Sequence, residues 1–170
     1  VSGVAGTQER GGTLRHGGSL PAGGAWRAYA KHFDRDGHDR AAGGALGDGG
    51  DRLQAGFRAD MHGEANNFTL QGDVFRSDRF FAPGDGSRGH NLLGRWTGEL
   101  TGSSSLRFQA YCDYFKRREL QSTAILETVD AELQYNLTSG RHDLVAGAGG
   151  RTARDAFLNG FISFQLDPQR

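Results

Sequence analysis

The sequence predicts an all-β fold, an antiparallel up-and-down meander of about eight to nine long strands. Two observations carry this. Apolar and polar residues alternate over long stretches, and short connections alternate with long ones. Glycine supplies 28 of the 170 residues, against a typical ~7%. Only three prolines accompany them and no Gly-X-Y period runs through the chain, which excludes collagen.

Each strand is read from its alternation. Residues 25–33 put Trp26, Ala28 and Ala30 on one face, against Arg27, Tyr29 and Lys31. Residues 52–62 give the clearest case, with Leu53, Ala55, Phe57, Ala59 and Met61 opposing Gln54, Gly56, Arg58 and Asp60. That run is about twice the length of an ordinary strand. Residues 67–76 set Phe68, Leu70, Gly72 and Val74 against Thr69, Gln71 and Asp73. Residues 90–100 set Leu92, Gly94, Trp96, Gly98 and Leu100 against Asn91, Arg95, Thr97 and Glu99. Residues 105–115 set Leu106, Phe108, Ala110, Cys112 and Tyr114 against Arg107, Gln109, Tyr111 and Asp113. Residues 142–151 repeat the pattern more weakly, and 12–20 and 161–166 read as partial or edge strands.

Residues 119–137 are ambiguous. Ile125, Val129, Leu133 and Leu137 are four apart, as on a helix. Val129, Ala131, Leu133, Tyr135 and Leu137 also alternate, and the neighbouring strands favour a strand here.

Formal net charge is zero, which removes the electrostatic footprint of a nucleic-acid binder. Aromatics at 10% and the absence of net charge argue against disorder. The single cysteine, Cys112, excludes an internal disulfide framework and any multi-cysteine metal site. No apolar run approaches the ~18 residues of a spanning helix, so any membrane contact must be made as a β-barrel. The first ten residues have no basic n-region, no apolar h-region and no initiator Met, which reads as a processed or cut chain.

The connections point the same way. Residues 21–24, 63–66, 101–104 and 138–141 are short and polar or Gly-bearing. Residues 34–51, 76–89, 116–123 and 152–160 are longer and alternate with them. A meander then carries its turns at one end and its loops at the other, as transmembrane barrels do. Phe33, Phe75, Tyr114 and Phe115 stand where strands give way to long loops, the place for an interfacial aromatic girdle. Arg27, Lys31, Arg58, Asp60, Gln71, Asp73, Arg95, Glu99, Arg107 and Arg151 suit solvent or a wet lumen, since a small dry core would leave them unpaired. The fold expected is therefore a transmembrane β-barrel or a fragment of one.

Several stretches resemble TonB-dependent outer-membrane receptors. Residues 15–20 (Arg-His-Gly-Gly-Ser-Leu) followed by 26–36 (Trp-Arg-Ala-Tyr-Ala-Lys-His-Phe-Asp-Arg-Asp) are similar to their first barrel hairpin. The likeness continues through 54–60, 68–74, 91–96, 109–113 and 142–147, with 164–170 leading toward a further strand. Residues 1–4 resemble the end of the plug domain. The resemblance implies a barrel of about 22 strands with an N-terminal plug. It also implies import of ferric siderophores, cobalamin or similar ligands with energy from TonB. Almost the whole plug, with its TonB box, and more than half of such a barrel are missing. Residues 1–10 then correspond to the end of plug and linker, and 11–170 to a partial barrel of the Gram-negative outer membrane. The small outward residues Ala28, Ala146, Ala148 and Gly150 depart from the pattern by weakening lipid contact. The partners implied are outer-membrane lipid and a small iron-chelate or similar ligand, with TonB only in a full-length receptor. The chain is expected to be a transporter fragment inactive alone, with no cofactor and no catalytic residue.

Other chemistry is weaker. Asp34, Asp36 and Asp39 invite calcium, but Ala45 stands where an EF-hand needs an acid. Residues 86–89 approach a nucleophile elbow with Asp85 in place of the first Gly, and the six histidines form no His-Glu-x-x-His pair. The ligand-site candidates are Arg79, Phe80 and Phe81, whose cationic and aromatic groups suit an anionic chelate. Two rivals remain: a small closed outer-membrane barrel acting as adhesin, structural protein or embedded hydrolase, and a soluble β-barrel binding a ligand inside.

Overall fold

A computed structural model describes residues 2–5, 9–41, 43–44, 46, 48–79, 84–119 and 122–159. They form one antiparallel sheet of nine strands in chain order. These are β1 (Ser2–Ala5), β2 (Glu9–Leu20), β3 (Gly24–Arg35), β4 (Gly50–His62), β5 (Asn66–Arg79), β6 (Gly86–Thr101), β7 (Ser104–Glu119), β8 (Ser122–Ser139) and β9 (His142–Asn159). A single 3-10 turn, Pro21–Gly23, joins β2 to β3. Among the described residues no helix is long and apolar enough to cross a membrane. The ambiguous stretch is strand throughout β8, paired with β7 on one side and β9 on the other.

The short connections stand as expected. Residues 102–103 and 140–141 are two-residue turns, and Gly140 takes a positive φ of 61°, which a tight hairpin needs and glycine supplies cheaply. The long connections need correction. Between the strand bounds, fourteen positions separate β3 from β4 and six separate β5 from β6. The link at 116–123 shrinks to residues 120–121, because Glu119 pairs directly with Ser122. Residues 152–159 belong to β9. Polar sequence there continues the ladders instead of leaving them, since backbone pairing does not need apolar side chains. The asymmetry is thus partly one of strand length, from 12 residues in β2 and β3 to 18 in β8 and β9. β1 pairs with Arg10–Thr13, so β2 is interior there rather than an edge, and the sheet reaches into residues 1–10. Residues 161–166 lie outside the described residues.

Register sorts the two faces cleanly. Directly opposed residues share a face, and the ladder Ala28–Phe57–Gly72–Leu92–Cys112–Val129 runs across β3 to β8. Below it runs Trp26–Ala59–Leu70–Gly94–Ala110–Ala131. Every polar residue named above as a lumen candidate lies on the other face.

No described side chain is fully buried. A single layer has no interior, so the apolar face stays open: Val74 is 55% exposed, Val129 53% and Leu144 57%. Along β7 the apolar positions from Leu106 to Tyr114 cover about 26 Å at ~3.3 Å per residue. That is close to the ~25 Å apolar band of an outer-membrane barrel. Across β2 to β9 the face covers roughly 900 Å² at strand spacing, beyond the ~300–600 Å² of a typical monomer's largest patch.

Glycines in the central strands let side chains two strands apart meet. Tyr29 and Asp73 flank Gly56 in register and bond above it, where a Cβ would lie 2.2 Å from the Asp73 carboxylate and 2.7 Å from the Tyr29 ring. Phe75 and Phe115 do the same over Gly89, and Phe57 and Leu92 over Gly72. Gly56→Ala is therefore expected to displace Tyr29 or Asp73 and lower stability by about 1–3 kcal/mol. Gly94→Ala, whose nearest neighbour would be Leu70 Cδ1 at 4.0 Å, is expected to stay within ~0.5 kcal/mol. Urea midpoints in detergent micelles compare the two.

Candidate functional site

The polar face carries a connected set of side chains because alternation delivers one polar group per strand per two residues to the same side. Gln54 Nε2 donates to Tyr29 Oη at 2.8 Å, and the Tyr29 hydroxyl donates to Asp73. Arg58 forks onto Asp60 at 2.7 and 2.9 Å and reaches Gln71 at 3.0 Å, while the Thr69 hydroxyl donates to Asp60 at 2.7 Å. Farther along, Arg95 bonds Gln109, Arg107 bonds Gln134, and Arg151 pairs with Asp130 at 2.8 Å. Most of these pairs face solvent, where one ion pair is worth ~0–1 kcal/mol. They orient a wet surface more than they hold the sheet.

At the end where the strands lengthen, the same face becomes aromatic and cationic. Lys31, Phe33, Arg52 and Gln54 line a recess of about 250 Å³. The Arg52 guanidinium lies 4.4 Å from the Phe75 ring centroid, and Phe75 meets Phe115 at 6.3 Å. Cation and ring together suit a flat anionic ligand. Parity in the sequence already placed Phe33 beside Lys31 and Phe75 beside Asp73 on one side. Which of them share a recess depends on cross-strand register, which parity alone does not give.

The girdle expectation is corrected here. Phe33, Phe75 and Phe115 lie on the polar face, and only Tyr114 lies on the apolar one. The apolar face concentrates its aromatics at the short-turn end instead: Trp26 stands there, and Phe68, Trp96 and Phe108 oppose one another. Trp96 Nε1 donates to Asn66 Oδ1 at 2.9 Å, an apolar body with its polar tip satisfied at the turn.

The candidates in the loop after β5 are not brought into a described site. Arg79 closes β5 opposite Gly50, and Phe80 and Phe81 lie outside the described residues. Asp34 and Asp36 face Arg10 at 3.7 and 3.5 Å, and among the described residues no three His, Cys, Asp or Glu side chains converge as a metal site would require. In loop 36–49 the His38 backbone N–H and then its ring hold the Asp48 carboxyl below the ordinary carboxylate range. Ser87 sits in β6 between Ser77 and Arg117, without the strand-to-helix turn of a nucleophile elbow. Cys112 is exposed on the apolar face between Leu92 and Val129.

The fold defines an amphipathic single-layer β-meander. No protein-family model, curated protein or solved structure matches the chain.

Proposed function

We propose that the chain is part of the wall of a transmembrane β-barrel in a Gram-negative outer membrane, and that the barrel captures and passes a small ligand. The single observation that carries this is that the described residues form a nine-stranded meander with one continuous apolar face, one polar face and no fully buried side chain. Lipid covers an open apolar face at no cost in unpaired backbone, and the polar face then lines water. The resemblance to TonB-dependent receptors supplies the ligand class, ferric siderophore, cobalamin or a similar chelate. The recess of Lys31, Phe33, Arg52 and Gln54 supplies its docking surface. In this reading the chain transports and does not catalyse, and it engages TonB only as part of a full-length receptor.

One observation favours a second reading. β2 to β9 are eight long strands, the number of the smallest closed outer-membrane barrels.

The test is partition of the chain between buffer and detergent micelles, read by far-UV circular dichroism. β-structure that depends on micelles is the expected result. A monodisperse β-protein unfolding cooperatively in plain buffer would contradict both readings, since its apolar face would then be covered by protein.

A further inference from the structure

The apolar face ends, on the long-strand side, in a row of like charges. Arg76, Arg88 and Lys116 are direct cross-strand partners on β5, β6 and β7, and Arg118 stands one step above. Directly opposed side chains stand about 4.5–5.5 Å apart at Cβ, so like charges there repel. Arg76 has a carboxylate, Asp78, at 2.6 Å. Among the described residues Arg88, Lys116 and Arg118 have no ion-pair partner within 4.0 Å. With Gly84, Gly86 and Ser87 these groups line a concavity of about 320 Å³ holding four cations to one carboxylate. The nearest other acids share this face without closing an ion pair on Arg88, Lys116 or Arg118: Asp51 opposes Asp78 on the β4 side, and Glu127 opposes Tyr114 on β8, diagonal to Lys116. The row below is Val74, His90 and Tyr114, with His90 stacked on Tyr114 at 5.1 Å.

We propose that this row binds the phosphate of an anionic lipid headgroup. The inference rests on the membrane reading above and adds to it. A cation at the edge of an apolar band sits at headgroup depth, its aliphatic stem along the acyl region and its charge at the interface. An opposed triplet without carboxylates between its members is costly in water and is relieved by an external anion. The four cations all have the register parity of the apolar face, so the anion they meet is carried by lipid and not by the lumen.

Flotation of the full chain with phosphatidylcholine vesicles, with and without phosphatidic acid, tests this. Phosphatidic acid is expected to raise the bound-to-free ratio. The variant Arg88→Gln/Lys116→Gln/Arg118→Gln is expected to lose roughly fivefold of that gain per cation, on the order of a hundredfold in all. A charge-matched variant on the polar face, Arg15→Gln/Arg27→Gln/Arg35→Gln, is expected to keep most of it. Equal loss in both variants, or none in the first, would overturn the site. Inorganic phosphate at an ionic strength matched with chloride is expected to leave the preference intact. Its abolition would make this a free-anion site and overturn the headgroup assignment. The phosphatidylcholine arm alone reports on the membrane reading. A wild type that gains no β-structure there brings down that reading and this one, whereas insertion without a phosphatidic acid effect brings down only this one.

Discussion

Leu92→Arg is expected to lower the stability of the inserted chain by about 2–4 kcal/mol, while Asn91→Arg on the next residue stays within ~1 kcal/mol. Both positions lie in the middle of β6, so strand propensity and backbone pairing are nearly the same for both. What differs is the face. Leu92 stands between Gly72 and Cys112 at mid-height of the apolar band, where a guanidinium has no water. Asn91 stands between Asp73 and Asp113 on the polar face, where a cation gains two carboxylate neighbours. Urea midpoints of the two variants in phosphatidylcholine vesicles measure the difference. Equal losses would mean that neither face meets lipid.

The second large effect concerns the sheet edge. β9 pairs with β8 along all 18 residues, and no strand pairs with its outer side among the described residues. Among the described residues β1 covers β2 over Arg10–Thr13, and no strand pairs with the outer side of β2 from Leu14 onward. An unpaired edge exposes half its amides to solvent and invites association. In dilute micellar chain, the outward amides of β9 are expected to exchange on the order of a hundredfold or more faster than those of β4 to β7, and to gain protection as concentration rises. Protection equal to the central strands at every concentration would mean that β9 closes on β2 within one molecule. That outcome would replace the open wall with a small closed barrel.

Much of the sheet is legible in the residues because a half-solvated strand writes its face into every second position. The sets from Leu53 to Met61 and from Leu106 to Tyr114 are each read correctly by parity alone. The helix-or-strand ambiguity near Val129 arises because a spacing of four fits both periods. Only the intervening Ala131 and Tyr135 separate them. Strand ends are less legible. Residues such as Arg76 to Asp78 and Arg117 to Glu119 look like loop because the hydrophobic period stops there, yet their ladders continue. The apolar signal reports the environment of the face, whereas the ladder reports only backbone pairing.

The site was harder for the same reason. Phe33, Phe75 and Phe115 read as a girdle from their height along the strand, while their parity already placed them with Lys31, Asp73 and Asp113. The recess of Lys31 and Arg52 and the row of Arg76, Arg88 and Lys116 both need register across neighbouring strands. One strand's sequence does not contain its neighbour's register, so neither cluster was visible before the pairing was known.

Fluorescence of the two tryptophans tests the central claim most directly. Trp26 and Trp96, the only tryptophans of the chain, both lie on the apolar face toward the short turns. In vesicles of phosphatidylcholine brominated on the acyl chain near the glycerol, both are expected to be strongly quenched, and aqueous acrylamide is expected to have little effect. Emission unaffected by the brominated lipid but open to acrylamide would contradict a lipid-facing apolar surface.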